Sequence, residues 1–132
     1  MKEFDLQKIK EAQADDGWLD ILHPQTGEKT PIRIHLAGPD SEVFRKADRR
    51  IKNRNLASLQ KRGNQTRLTT EQIEANSIEL LKAITLGWDG VTWGGAPLEF
   101  SPENVETLYT EFSFIREQVD EFVGDRQNFF SN

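Results

Sequence analysis

The stretch Ile32-Arg33-Ile34-His35-Leu36 decides the fold class. Apolar and polar residues alternate strictly along it, so Ile32, Ile34 and Leu36 share one face and Arg33 and His35 the other. That is the period of a strand with one buried and one wet side. Upstream, Trp18, Leu19, Ile21 and Leu22 form an apolar run. His23-Pro24-Gln25-Thr26-Gly27-Glu28-Lys29 between the two is rich in turn residues. Residues 18–36 therefore read as a β-hairpin, ended by Gly38-Pro39 and preceded by the turn signal Asp15-Asp16-Gly17. Before that turn, Phe4, Leu6 and Ile9 offer a short helical stripe in a charged segment. Residues 1–16 read as a flexible or edge N-terminal arm.

Downstream of the hairpin the pattern is helical. Asp40 or Ser41 is a natural N-cap for a basic helix over 41–62, with a narrow stripe of Phe44, Ala47 and Ile51. Asn53 and Asn55 are weak helix formers and predict a bend or frayed end there. Gly63-Asn64-Gln65 reads as a loop. Thr69-Thr70-Glu71-Gln72 reads as a capping box opening a helix over 70–87, with Ile73, Leu80, Leu81, Ile84 and Trp88 suited to one face. Asp89-Gly90 and Gly94-Gly95-Ala96-Pro97 mark turns within a turn region at 88–100. Ser101-Pro102-Glu103 combines a cap, a first-position proline and a first-turn acid. Beyond it Val105, Leu108, Phe112, Ile115, Val119, Phe122 and Phe129 recur in steps of three and four, interrupted at Arg126. This helical region, 102–130, is expected to split near Ser113. The fold class is thus α+β: an N-terminal β-hairpin packed against three to four α-helices, one domain over 17–132 with a mostly helical C-terminal half.

Composition narrows the function. The 132 residues include no cysteine and only two histidines, His23 and His35. That removes disulfides, thiol nucleophiles and Cys-based zinc sites, and leaves little material for a His-based triad or metal site. Three Trp and eight Phe argue against wholesale disorder. The longest uncharged stretch, Gly90 to Leu98, falls far short of the roughly 20 apolar residues of a membrane span. The first residues lack the apolar run of a secretory signal. Gly94-Gly95 lacks the Lys-Ser/Thr of a phosphate loop. Glu117, Asp120, Glu121 and Asp125 fit the wet face of an amphipathic helix better than a catalytic carboxylate pair. No catalytic, metal-binding or cofactor-binding residue is assigned, and the chain reads as a non-enzyme.

The net charge of −5 is unevenly distributed. Residues 1–39 hold five Lys/Arg and seven Asp/Glu, residues 40–62 eight and three, and residues 63–132 four and twelve. A basic middle between acidic flanks suits an acidic partner, another copy, or the chain's own C-terminal half. Arg45, Arg49, Arg50 and Lys52 are the candidate contacts. Gripping nucleic acid with this segment is the weaker reading, because the chain is acidic and no aromatic set interleaves the charges. Phe129-Phe130 needs a docking surface on this domain or on a partner.

One order of motifs stands out: Gly38-Pro39-Asp40-Ser41 opening a basic helix; Gly87-Trp88-Asp89-Gly90-Val91; Gly95-Ala96-Pro97-Leu98-Glu99-Phe100-Ser101-Pro102-Glu103-Asn104; Ile115-Arg116-Glu117-Gln118-Val119; and Asp125-Arg126-Gln127-Asn128-Phe129. Over about residues 17–130 it resembles the tail assembly chaperones of long-tailed, siphovirus-like bacteriophages. Ser113 departs from the pattern, standing where many such sequences carry a proline. The resemblance implies a small non-enzymatic factor that binds the tape-measure protein, keeps its long hydrophobic helices soluble and helps recruit tail tube subunits. It implies action in the host bacterial cytoplasm, absence from the mature virion, and in many cases a longer form made by frameshifting. The residues suited to such binding are Trp88, Trp93, Phe100, Phe112, Phe129 and Phe130, apolar surface in an acidic half. Homo-oligomerisation through the opposed charge blocks is a further expectation. The alternatives are a structural head–tail connector, neck or minor tail protein, and, less favoured, a nucleic-acid-binding regulator.

Overall fold

The structure, a computed structural model, describes residues 4–61 and 68–130. The expected end of the basic helix at Arg62, the Gly63–Gln65 loop and the extreme residues of both arms lie outside the described residues. The fold is α+β as expected, but its sheet has three strands. β1 (Asp16–Leu22) pairs antiparallel with β2 (Lys29–Ala37), which pairs antiparallel with β3 (Thr85–Asp89). β2 is the central strand. Ile34 and Leu36 are fully buried while Arg33 is exposed, so the alternation marks the two faces correctly. On the wet face Trp18 stacks on its cross-strand partner His35, 4.7 Å between ring centroids, with the Arg33 guanidinium 4.9 Å above the Trp18 ring.

Between β2 and β3 run α2 (Glu42–Lys61) and α3 (Thr70–Ile84), packed on one another. Ser41 caps α2, its Oγ accepting from the Phe44 N–H at 3.2 Å. α2 runs unbroken through Asn53 and Asn55. Their poor propensity is offset by ties to α3: Asn76 donates to Asn55 at 3.2 Å, and Arg54 reaches Glu79 and Asn76, each at 2.8 Å. Thr69 forms the expected capping box with Gln72.

The expected helix over 70–87 ends earlier, at Ile84, and the chain enters β3 directly. Thr85 makes the switch. Its hydroxyl donates to the Leu81 carbonyl, one of the orphan groups of the helix end, at 2.6 Å. Its backbone then pairs with Leu36, while His35 pairs with Gly87, leaving Leu86 as a bulge residue. That extra residue scrambles the strand's alternation, and Trp88, beyond the helix end, sits on β3 opposite Ile34.

β4 (Thr92–Trp93) and β5 (Ala96–Pro97) form a small hairpin, followed by α4 (Pro102–Glu111) and α5 (Ser113–Gly124). Ser101 caps α4 as its sequence dictates. The break falls at Phe112, whose backbone leaves the helical region (φ −121°, ψ 81°). A 3-10 turn (Arg126–Phe129) is the last element among the described residues. The core joins the buried face of the sheet to α3 and the C-terminal helices: Ile21, Ile34, Leu36, Leu81, Ile84, Val105, Leu108, Ile115 and Val119. At its centre Tyr109 is fully buried, and its hydroxyl meets Thr85 Oγ1 at 2.7 Å. Because Thr85 already donates to Leu81, the phenol is the donor. Burial raises the Tyr109 pKa above its usual value.

The first sixteen residues contain a short helix, α1 (Leu6–Ala12), capped by Asp5 and burying none of its residues. Gln13 then bridges to Phe130, and the Ala14 N–H donates to the Phe129 carbonyl at 2.6 Å. Along β1, the Gln118 side chain accepts from the Leu22 N–H at 2.8 Å and donates to the Leu22 carbonyl at 2.9 Å. Among the described residues no helix is long and apolar enough to cross a membrane.

Candidate functional site

The β4–β5 hairpin is built by Gly94 and Gly95, both at positive φ (65° and 83°). Two consecutive residues in that region form the tight turn whose twist suits a two-residue hairpin, and glycine enters it without a Cβ clash. The turn places Trp93 opposite Ala96 at the exposed tip. Trp93 is 47% exposed, yet its ring meets Phe112 edge-on at 5.1 Å, and Phe112 meets Phe114 at 6.4 Å. The helix break at Phe112 makes this possible: a continuous helix would separate positions 112 and 114 by roughly 200°. Beneath the hairpin lies a cleft of about 240 Å³ lined by Ile32, Val91, Leu98, Leu108, Phe112 and Phe114. Leu98 holds its roof, its N–H donating to the Val91 carbonyl at 2.8 Å and its carbonyl accepting from Trp88 Nε1 at 2.9 Å. Trp88 in turn packs edge-on against Phe100 at 5.1 Å. Four of the six expected aromatics, Trp88, Trp93, Phe100 and Phe112, thus form two pairs on either side of Leu98.

Phe129 and Phe130 belong elsewhere. Phe129 is 2% exposed, packed edge-on against Phe122 at 5.3 Å. Its ring lies over two glycines: a Cβ at Gly38 would come within 2.9 Å of it, and one at Gly17 within 3.3 Å. Phe129 therefore closes the fold and is not free to meet a partner; Phe130 is half-buried beside Gln13. Phe114, Ile32 and Leu98 are cleft residues that the sequence reading omits. Phe114 lies off the three-four series, and only the break at Phe112 brings it to the cleft.

The candidate basic contacts are all solvent-facing on α2. Arg50 reaches Glu79 at 3.8 Å, and Lys52 pairs with Asp48 at 2.8 Å. Arg45 lies near enough to Asp40 to favour its ionised form. Among the described residues Arg49 makes no ion pair. A two-nitrogen charge contact ties the C-terminal turn to the start of the α2 region: Arg126 bonds Asp40, one bond at 3.1 Å, and holds the Asp40 carboxyl below its usual pKa.

The two histidines are not brought together. His23 sits in the β1–β2 turn, its Nδ1 accepting from the Gln25 N–H at 3.1 Å, whereas His35 lies within β2, bonded to Asp16. Among the described residues no group of three or more His, Asp or Glu is placed to hold a metal ion. Glu117, Asp120 and Glu121 are exposed on α5, and exposed Asp125 follows its end. Comparison with known proteins gives no match: no family model, curated protein or solved structure is detectably similar to the chain.

Proposed function

We propose that this protein is a non-enzymatic phage tail assembly chaperone, binding apolar helical segments of a tape-measure protein in the host cytoplasm and leaving before the virion matures. The observation that carries the reading is the exposed Trp93 poised on Phe112 over an apolar cleft. An aromatic at a glycine-built hairpin tip, with a greasy slot beneath it, suits a helix whose apolar face is presented at i, i+3 and i+4. Exposed Asp89, Glu99 and Glu111 flank the hairpin and cleft in sequence, keeping such a surface soluble. The resemblance in motif order from Gly38 to Phe129 is the support for a tape-measure partner; the cleft supports only an apolar helical one. Recruitment of tail tube subunits belongs to the same reading.

Co-expression with the tape-measure polypeptide of the same phage tests it. The wild-type chain is expected to hold that polypeptide in the soluble fraction and co-purify with it. Trp93→Ala is expected to abolish co-purification while leaving the melting temperature of the chain nearly unchanged. A tape-measure polypeptide that stays insoluble with wild-type chain present, or binds Trp93→Ala equally well, overturns the proposal.

A further inference from the structure

A second apolar surface shares no lining residue with the Trp93 cleft, and it has a counterpart on the same chain. Between β1 and α5 runs a groove of about 480 Å³ with Trp18, Leu19, Leu22 and Phe122 as its apolar lining. Glu121 and Asp125 stand at its rim. Among the described residues neither has an ion-pair partner, Asp125 only capping the closing turn by accepting from the Gln127 N–H at 3.1 Å, whereas the rim's other acid, Asp20, is engaged by Arg33 at 3.1 Å and Lys29 at 3.6 Å. The groove therefore asks for an occupant that is apolar on one side and carries positive charge.

α1 has that character. Phe4 is 78% exposed, Leu6 73% and Ile9 41%, and no residue of the helix is buried. Leu6 and Ile9, three apart, share a face, with Lys10 beside them. The acids of this segment are engaged locally: Asp5 caps the Gln7 N–H at 3.0 Å, and Glu11 accepts from the Gln7 side chain at 3.2 Å. Among the described residues Lys8 and Lys10 form no ion pair, and with Glu11 they leave the helix Leu6–Ala12 one net positive charge, Lys10 standing on the side of Leu6 and Ile9. The groove also favours a helix over a strand, because Gln118 already occupies the N–H and carbonyl of Leu22. An occupant beside Leu22 therefore gains side-chain contacts and no sheet hydrogen bonds from that residue.

We infer that α1 of one copy docks in the β1–α5 groove of a second copy, with Leu6 and Ile9 on the apolar lining and Lys10 toward Glu121 and Asp125. Donor and acceptor are different surfaces, so the contact is head-to-tail and propagates from copy to copy. This proposal is independent of the tail-assembly reading.

Sedimentation velocity on the full chain over a concentration series tests it. The wild type is expected to pass from monomer to dimer and larger species as concentration rises. An arm variant (Leu6→Ser with Ile9→Ser) and a groove variant (Leu22→Lys with Glu121→Lys) are each expected to stay monomeric with unchanged circular dichroism. Mixed in equal amounts they are expected to form a heterodimer that grows no further, since one copy retains only the groove and the other only the arm. Lys10→Glu is expected to weaken association by about threefold or more, and adding Glu121→Lys to it to restore association. A wild type that remains monomeric throughout, its arm idle or folded onto its own groove, overturns the inference. So does an arm variant that associates like the wild type, which assigns the contact to another surface such as α2 against α5. A mixture that stays monomeric also overturns it.

Discussion

The first and last elements of the described chain meet at the Gln13–Phe130 bridge yet treat their apolar residues in opposite ways. α1 presents Phe4, Leu6 and Ile9 to solvent, and the closing 3-10 turn sinks Phe129 to 2% exposure. Hydrophobicity does not separate them. What separates them is a receiving surface: Gly17 and Gly38 leave a slot over which the Phe129 ring lies, and Arg126 bonded to Asp40 holds the turn above it. Among the described residues nothing comparable receives α1, none of whose residues is buried. An aromatic residue near an end is thus structural or available according to the small residues that face it, which lie far away in sequence.

The sharpest way to break this contrast is to empty the slot. Phe129→Ala is expected to cost about 3–5 kcal/mol in chemical denaturation, as for a large buried aromatic. Filling the slot instead should cost less: Gly38→Ala pushes a methyl group against the ring and is expected to cost about 1–3 kcal/mol. The same substitution in a Phe129→Leu background should cost less again, and equal costs in both backgrounds would remove Phe129 as its cause. A smaller effect follows from the ion pair. The Asp40 carboxyl titrates lower in the folded chain than in the unfolded one, so its contribution is present above the unfolded value of about 4. That contribution is lost as pH falls through the folded value. Acid titration of stability should therefore be shallower for Asp40→Asn than for the wild type. At the far end of the scale, Leu6→Ser should leave the stability of the isolated monomer within about 0.5 kcal/mol, as for a surface change. A drop of several kcal/mol would mean that α1 belongs to the core after all.

Much of the architecture is legible from short-range rules. The alternation at Ile32–Leu36 marks the central strand's faces, and Ser41, Thr69 and Ser101 mark three helix starts, because caps and period are properties of neighbouring residues. The third strand is not legible. Leu86 bulges out of register, so Thr85–Asp89 shows no alternation, and its strand character comes from pairing with a segment some fifty residues away. The same limit governs the cleft. Trp93 and Phe112 are recognisable as aromatics, but their contact depends on the Gly94-Gly95 turn and the break at Phe112 acting together. Phe114 becomes a lining residue only through that break. For Phe129, only the fold reveals the glycines beneath its ring.

Tyr109 is the sole tyrosine of the chain, and it is sealed in the core with its hydroxyl donating a hydrogen bond to Thr85. Any phenolate absorbance therefore reports one buried position. Because the folded environment raises this group's pKa, its contribution to stability is intact below about pH 10, where the unfolded side chain begins to ionise, and falls away in stronger base. The phenolate signal should accordingly rise together with loss of helical dichroism, as one alkaline event. The molecule carries its own optical gauge of integrity, readable without a label.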